Sequence, residues 1–178
     1  MSGPLLTSFP PLARPAARVL VLGTMPGARS LAERQYYAHP QNAFWRIMGA
    51  LFDFDPAAPY GDRVDALTGA GVAVWDVLGA CRREGSLDTA IDPGTVVVND
   101  FATLLREQSG LKRIVFNGAK AAELFDRHAA PRLVERAPPE RPRLPERLRL
   151  PSTSPANARL RFDAKLAAWR PLREIARP

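Results

Sequence analysis

Four short apolar runs, separated by helical or loop-like segments, most limit what this chain can fold into. The first run is 18–23 (RVLVLG) and ends in glycine, and the others are 72–78, 113–118 and 148–150. Short runs rich in β-branched residues are typical of buried strands in a parallel sheet. Because strands and helices alternate, right-handed crossovers would cover both faces. The sequence therefore predicts a three-layer α/β/α fold with a central, mostly parallel four-stranded sheet.

The segments between these strands contain helical patterns and loops. Asn42 precedes apolar residues at helical spacing and occupies the position of an N-cap, and Asn99 or Asp100 caps a later helix. Helices are also predicted at 62–67, 119–128 and 162–169, and loops at 24–41, 81–94 and 151–158. Ligands of open parallel sheets bind beyond the carboxyl ends of the strands. We therefore expect functional residues on the loops that follow the strands.

Composition indicates a globular chain without a disulfide framework. Its 178 residues predict a single domain, 1–178, with an extended proline-rich arm at 1–15 and a Pro/Arg-rich connector at 131–145. The 46% hydrophobic content is too high for a disordered chain. No apolar stretch reaches the ~20 residues of a membrane span, and the start lacks the apolar core of a signal peptide. We expect a cytoplasmic protein that does not enter a membrane.

The residues available for metal or redox chemistry are few. Cys81 is the single cysteine, and His39 and His128 are the two histidines. Zinc sites need several such ligands close together. The sequence therefore predicts no metal site and no other cofactor, and it gives Cys81 no role beyond that of a residue at a loop edge.

The charge of the chain is compatible with nucleic acid but does not by itself establish it. The formal net charge is +7, and 22 of the 25 basic residues are arginines. Net charge governs non-specific attraction rather than fold or chemistry. An arginine bias alongside so much alanine and proline also arises from genome composition.

The stretch 23–27 (GTMPG) directly follows the first predicted strand. Gly23 and Gly27 let the backbone approach a ligand closely, and Pro26 stiffens the turn. Backbone N–H groups in such a turn can receive an anion or a carbonyl oxygen. A tight strand-to-loop turn without a ligand has the same composition, so this stretch alone does not decide between the two.

Aromatic and polar residues follow in 36–45 (YYAHPQNAFW). Tyr36 and Tyr37 lie in a predicted loop, where an aromatic ring facing the rim offers a stacking surface for a planar base. A buried ring would instead anchor the loop. Asn42 can act as a helix cap or as a functional amide, and the same residue at the mouth of a helix can do both.

A second polar stretch, 150–158 (LPSTSPANA), follows the last predicted strand. Serine and threonine held between two prolines can bond phosphate oxygens, as these residues commonly do in DNA complexes. The alternative is an ordinary Ser/Pro turn that precedes the final helix.

Together these two stretches resemble the motifs of the uracil-DNA glycosylase superfamily. The pattern GTMPG…SL…YYAHPxNAFW with LPSTSPANA is most similar to the hypoxanthine-DNA (DNA-deoxyinosine) glycosylases, and the agreement runs from about Phe9 to Trp169. Two positions depart from the uracil-directed branches of the superfamily. Met25 stands where mismatch-specific enzymes carry a catalytic Asn, and Ser152 replaces the His of the second motif. Both departures argue against efficient removal of uracil.

The resemblance implies a role for each motif residue. Asn42 is the implied catalytic residue, since it is the Asn of the HPxN motif. Residues expected at the base are Gly23, Thr24, Met25, Pro26, Gly27, Tyr37, Asp76 and Asn117. Residues expected at the DNA backbone or in the vacated base stack are Ser152, Thr153, Ser154, Pro155, Asn157, Arg159 and Leu160. Basic residues expected on the rim that faces DNA are Arg29, Arg82, Arg83 and Arg159.

The resulting hypothesis is a monomeric, monofunctional DNA glycosylase. It would flip a deaminated base, most of all hypoxanthine, out of the duplex and hydrolyse the N-glycosidic bond. Its partner would be DNA that contains such a base. Alternatives from the sequence are a uracil- or xanthine-specific glycosylase, a non-catalytic nucleobase-binding module, and a plain phosphate-binding α/β protein.

Overall fold

The structure, a computed structural model that describes residues 3–135 and 144–177, contains a parallel sheet and a smaller antiparallel sheet. The strands are β1 (Leu5–Thr7), β2 (Val19–Gly23), β3 (Val72–Asp76), β4 (Leu78–Arg82), β5 (Val97–Val98), β6 (Arg113–Asn117) and β7 (Glu146–Leu150). The main sheet has four parallel strands in the order β3-β2-β6-β7. This confirms the predicted parallel sheet.

Helices flank the main sheet and complete the predicted three-layer fold. They are α1 (Ala28–Glu33), α2 (Phe44–Phe52), α3 (Tyr60–Gly69), α4 (Phe101–Glu107), α5 (Ala119–Leu124), α6 (Ala130–Glu135), α7 (Phe162–Trp169) and α8 (Pro171–Ala176). A π-helical segment, Phe125–Ala129, joins α5 to α6. The core includes the rings of Phe44, Phe125 and Trp169, which are buried.

The apolar run 72–78, predicted as one strand, divides between two sheets. The chain leaves the main sheet after Asp76, and from Leu78 it pairs antiparallel with β1 and β5. The prediction of a loop from residue 81 was therefore wrong at its start, because Cys81 is a buried strand residue rather than one at a loop edge. The neighbours of Cys81 on β4, Ala80 and Arg82, are only partly buried, so Cys81 points to the buried face of this strand.

Other boundaries also differ from the sequence prediction. Helix α1 lies inside the predicted 24–41 loop, and α2 begins at Phe44 rather than at Asn42. The 1–15 arm contains β1, and residues 131–135 of the predicted connector belong to α6. Residues 136–143 of that connector lie outside the described residues. Asp100, rather than Asn99, caps α4 by accepting a hydrogen bond from Thr103 N at 3.1 Å.

The carboxyl ends of the parallel strands lie side by side because the strands are paired in register. Gly23 is paired with Asp76, and Asn117 with Leu150, directly before the 151–158 loop. The fold thus brings the two sequence motifs to one edge of the main sheet, as the sequence predicts. No helix within residues 3–135 and 144–177 is long and apolar enough to cross a membrane.

Candidate active site

The turn at 23–27 connects β2 to α1 at the edge of the sheet where the strands end. Its Thr24, Met25 and Pro26 side chains are buried. The carbonyls of Gly23 and Thr24 accept hydrogen bonds from Val77 N and Leu78 N, at 2.8 and 3.0 Å. These two bonds tie the turn to the point where the chain passes from one sheet to the other.

The α-carbon of Gly23 faces two polar groups at close range. A Cβ placed there would lie 2.6 Å from Asp76 Oδ1 and 3.0 Å from Tyr37 Oη. Such distances are below ordinary van der Waals contact, so a side chain at residue 23 would displace one or both groups. Glycine is therefore required because Asp76 and Tyr37 converge on it, rather than for an unusual backbone angle.

Tyr37 combines two costly features, its backbone angle and its unpaired hydroxyl, with a stacked ring. Its φ of 56° lies in the left-handed region, which non-glycine residues rarely adopt. Its ring stacks on Phe44 with centroids 3.9 Å apart, so one face of the ring is covered. Its buried hydroxyl has no hydrogen-bond partner among the described residues, and burial raises its pKa. Strain and an unpaired buried polar group in one residue are typical of a ligand site.

Tyr36 shows the alternative fate of a loop aromatic. It is buried, and its hydroxyl donates to the carbonyls of Phe9 and Pro10 at 3.2 and 3.1 Å. Tyr36 therefore anchors the N-terminal arm. Of the adjacent pair, only Tyr37 remains as a stacking surface for a base.

Asp76 is a buried carboxyl at the end of β3. Ser8 Oγ donates to its Oδ2 at 2.9 Å, and Asn99 Nδ2 donates to its backbone carbonyl at 2.8 Å. Burial raises the pKa of Asp76 to about 7; the nearby Asp88 charge adds to this, and the Ser8 bond and the Arg83 charge oppose it. Asp76 thus changes charge near neutral pH. Its Oδ1 lies against Gly23, on which the Tyr37 hydroxyl also converges.

Asn42 lies where the two motifs meet. Its Oδ1 accepts from Phe44 N at 3.0 Å, and the next residue, Ala43, donates its N–H to the carbonyl of Thr153 at 3.0 Å. Because a backbone N–H can only donate, the oxygen of the Asn42 amide must face it, which leaves Nδ2 as the outward group. The N-cap position of α2 belongs to Ala43 rather than, as predicted, to Asn42; Asn42, one residue earlier, supplies the oxygen for the first N–H of the helix. In the described part of the chain Nδ2 has no acceptor, so the half-buried Asn42 also presents a donor.

Asn117 joins β6 to the second motif. Its Nδ2 donates to Thr153 Oγ1 and its Oδ1 accepts from Thr153 N, both at 2.9 Å. Both residues are buried, so this pair fixes the 151–158 loop against the sheet. The predicted contact of Asn117 with a base edge would have to use the second proton on Nδ2, since its oxygen is already engaged.

The 151–158 loop is held in place mainly through its carbonyls, and its two serine hydroxyls are only partly engaged. Ser152 Oγ and Ser154 Oγ accept from the backbone N–H of Ser154 and Ala156, each at 3.2 Å. A hydroxyl that only accepts still has its proton to give. The carbonyls of Pro151, Ser152, Thr153 and Ser154 accept from Trp169 Nε1, Asn157 Nδ2, Ala43 N and Lys165 Nζ. The serine hydroxyls can therefore donate to phosphate oxygens without disturbing the loop.

Arg83 was predicted on the DNA-facing rim, and that prediction was wrong. Its side chain is fully buried. Nη2 donates to the carbonyl of Pro26 at 2.5 Å and Nε donates to the carbonyl of Gly85 at 3.0 Å. Nη1 has no hydrogen-bond partner among the described residues and lies 3.9 Å from Asp88 Oδ1. Arg83 therefore links the 23–27 turn to the segment after β4, a role that its sequence neighbours do not signal.

The other residues predicted on the DNA-facing rim are exposed or partly exposed. Arg29 is exposed and paired with Glu33 on α1, and partly buried Arg82 donates to the carbonyl of Gly3. Arg159 and Leu160 are exposed beyond the second motif, with 37% of Leu160 accessible. An exposed leucine directly after the second motif has the chemical character of a wedge for a vacated base stack.

Two other features bear on ligands. A cavity of about 380 Å³, lined by residues that include Arg18, Gly71 and Arg173, lies at the opposite ends of β2 and β3 and contains no predicted site residue. Within residues 3–135 and 144–177, no cluster of three or more His, Cys, Asp or Glu side chains could hold a metal ion.

A parallel sheet that places GTMPG, YYAHPxNAFW and LPSTSPANA at one edge defines the class of protein. The chain belongs to the uracil DNA glycosylase superfamily, whose family model matches residues 10–173. A protein of Methanosarcina barkeri named "Hypoxanthine DNA glycosylase" is 38% identical over 116 residues, covering 65% of this chain and 72% of the relative. A protein of Methanosarcina acetivorans with the same name is 36% identical over the same shares.

A solved structure supports the same fold. The solution NMR structure of a proposed uracil DNA glycosylase from Methanosarcina acetivorans matches with a TM-score of 0.73 at 31% sequence identity. The match covers 94% of this chain and 98% of that chain. The similarity therefore includes both sheets and both motifs rather than the parallel sheet alone.

Proposed function

We propose that this protein is a DNA glycosylase that removes hypoxanthine, the base of deoxyinosine, by hydrolysing its N-glycosidic bond. The observation that carries the proposal is the convergence of Asp76 Oδ1 and Tyr37 Oη on the α-carbon of Gly23, within a chain of this family. The two relatives named for hypoxanthine support the choice of base.

The polar groups of the pocket suit the edge of hypoxanthine. Hypoxanthine has a donor at N1 and an acceptor at O6, whereas adenine has an acceptor at N1 and a donor at C6. Ionised Asp76 would accept from N1–H of hypoxanthine and would face the lone pair of adenine N1 unfavourably. Burial strengthens this discrimination, since an unpaired buried polar group is costly. In its ionised form Asp76 therefore favours hypoxanthine over adenine.

Tyr37 and the 23–27 turn would complete the base pocket. The face of the Tyr37 ring opposite Phe44 is the face left for stacking on the flipped base. No backbone hydrogen bond in the described residues uses the N–H groups of Met25 and Gly27, so both remain for base oxygens or nitrogens. Thr24, Met25 and Pro26 form the buried wall of this turn.

The chemical step breaks the bond between C1′ of the sugar and N9 of the base. The bonding electron pair leaves with N9, and water oxygen bonds to the oxocarbenium-like C1′. One water proton stays on the new C1′ hydroxyl and the other is transferred to the departing base, which gives free hypoxanthine and an abasic site. Since Asn42 presents Nδ2 outward, we assign it the role of a donor to the departing base. Removal of one preorganised donor of this kind costs ~3 kcal/mol in favourable cases.

The second motif would hold the DNA backbone on either side of the flipped nucleotide. Ser152 and Ser154 would donate to phosphate oxygens, and Leu160 with Arg159 would fill the vacated stack. Thr153, Pro155 and Asn157 would act by keeping the loop in shape. We further propose that the protein acts on DNA as a monomer and in the cytoplasm.

Uracil is the alternative substrate that a specific feature leaves open, because its N3–H is also a donor for Asp76. Met25 and Ser152 disfavour it, since neither supplies the amide or imidazole of the uracil-directed branches. The test is a set of duplexes that contain inosine, xanthine or uracil, incubated with the protein and then cleaved with alkali. Strand breaks at inosine alone support the proposal. Strand breaks chiefly at uracil would show that uracil, rather than hypoxanthine, is the substrate. No strand breaks in any duplex would indicate a binding module without catalytic activity.

A further inference from the structure

Lys165 is a buried cation for which the protein supplies no counter-charge. It lies on α7, is 5% exposed, and donates from Nζ to the carbonyl of Ser154 at 3.1 Å. Among the described residues no carboxylate oxygen lies within 4.0 Å of its Nζ. The ion pairs that the described residues do form are mostly between exposed side chains. Burial lowers the pKa of Lys165. An ammonium group in this position is costly unless something else pairs with it.

The hydrogen bond to Ser154 does not explain why the residue is a lysine. The Ser154 carbonyl already accepts from Asn157 N at 3.1 Å. One helical turn along α7, Trp169 holds the carbonyl of Pro151 with an uncharged N–H. The loop is therefore held in place by neutral donors, and the charge of Lys165 is surplus to that purpose.

The neighbourhood of Lys165 is suited to an anion. Ser152 and Ser154 have hydroxyl protons free to donate, and an ammonium with three donors uses one on the Ser154 carbonyl. A phosphate group needs donors and positive charge together. The buried stem of Lys165 keeps this charge at one fixed place beneath the loop rather than on a mobile surface arm.

We propose that Lys165 binds a DNA phosphate together with Ser154, as a fixed positive charge beneath the second motif. The inference rests on the proposed function, because it takes DNA as the ligand. The proposal adds a DNA-binding residue that lies outside both motifs. Because every duplex has phosphates, this residue would bind undamaged and damaged DNA alike.

The test measures binding of an undamaged duplex over a range of salt concentrations. Loss of one phosphate contact lowers the slope of log K against log salt by ~0.9 and weakens binding about eightfold at 0.1 M salt. We expect both changes in Lys165→Met and in Lys165→Gln, and neither in Lys165→Arg. The control is Lys112→Met, since Lys112 is exposed at the start of β6, at the opposite edge of the sheet.

Lys165→Gln separates a phosphate contact from a purely structural role. Glutamine keeps a neutral donor for the Ser154 carbonyl, so an unchanged salt slope in this variant would overturn the proposal, as would equal loss in Lys112→Met. Absence of salt-dependent DNA binding in the natural chain would also overturn it. Excision of inosine is measured separately, so a binding protein without excision would retain the Lys165 contact while the proposed activity failed. Circular dichroism confirms that each variant is folded.

Discussion

The buried guanidinium of Arg83 donates to the carbonyl of Pro26, and this contact joins residues 57 positions apart in the chain. The same side chain holds the carbonyl of Gly85, so one residue fixes both the 23–27 turn and the segment after β4. Ser86 reinforces the link, since its Oγ accepts from Ala28 N at 2.9 Å. The geometry of the base pocket therefore depends on a residue outside both sequence motifs.

Replacing Arg83 with methionine is expected to lower excision more than stability. The Pro26 carbonyl would lose its donor, which costs ~1–3 kcal/mol for a buried acceptor, but an incompletely paired buried charge would be removed as well. We expect at least a tenfold loss in the single-turnover rate, which corresponds to ~1.4 kcal/mol, with little change in melting temperature. Arg173→Met is the control, since Arg173 lines the cavity at the opposite ends of β2 and β3. An equal loss of rate in it would contradict a positioning role for Arg83.

Asn42→Asp separates capping from donation. Aspartate keeps an oxygen for Phe44 N at the start of α2 and is favourable at a helix N-terminus, but it has no N–H to give. We therefore expect a melting temperature at or above that of the natural chain and loss of inosine excision. Asn42→Ala should lose both the cap, worth ~1 kcal/mol, and the activity. Normal excision by Asn42→Asp would show that the oxygen, rather than Nδ2, is the working group.

Asp76 makes stability fall as pH rises. Its pKa is about 7 in the folded protein, against an ordinary carboxyl value of 3.8, so the folded state binds more protons between these two values. Stability that it contributes is thus present at low pH and lost as pH rises toward 7. Asp76→Asn removes this dependence, and we expect it to be more stable at pH 8 by up to ~4 kcal/mol, measured by urea unfolding.

The activity of Asp76→Asn should change in the opposite direction. In the proposed function ionised Asp76 accepts from N1–H, so we expect kcat/KM of the natural chain to increase with pH through about 7 and this increase to vanish in the variant. Single-turnover rates between pH 5 and 8 measure this. The same pH profile in both proteins would exclude Asp76 from base recognition.

Gly23→Ala tests the crowding at the pocket. The added methyl would meet Asp76 Oδ1 at 2.6 Å and Tyr37 Oη at 3.0 Å, so we expect excision to be lost. Gly61→Ala is the control, because nothing lies within 4 Å of its Cβ position on α3. Alanine should stabilise that helix by ~0.5–1 kcal/mol without affecting excision. Retained activity in Gly23→Ala would mean that the base does not need these two groups as they stand.

Local patterns in the sequence are sufficient to predict the parallel sheet and the edge where both motifs meet. They succeed because β2, β3 and β6 are short apolar runs that end in a polar or glycine residue, and the carboxyl ends of neighbouring parallel strands lie at the same edge. They do not reveal that 72–78 serves two sheets, because an apolar run looks the same on either side of Val77. The burial of Arg83 is set by partners distant in sequence, and its charge suggests the surface.

The two roles of adjacent tyrosines also lie beyond the sequence. Tyr36 and Tyr37 are the same residue type in the same predicted loop. In the structure Tyr37 has a positive φ and its ring stacks on Phe44, whereas Tyr36 contacts the N-terminal arm. Lys165 carries no motif signal at all. Lys165 lies one helical turn before Trp169, and the sequence does not show that both side chains contact the 151–158 loop.

The passage of the chain between sheets at Val77 limits how the pocket can evolve. Val77 is the single residue between β3 and β4, so a one-residue insertion there would exchange the two faces of β4 and turn the buried Cys81 toward solvent. The hydrogen bonds from Val77 and Leu78 to the 23–27 turn would be lost in the same event. Length changes should therefore be tolerated at the outer strand β5 but not at Val77, where the number of residues, as much as their identity, holds the pocket in place.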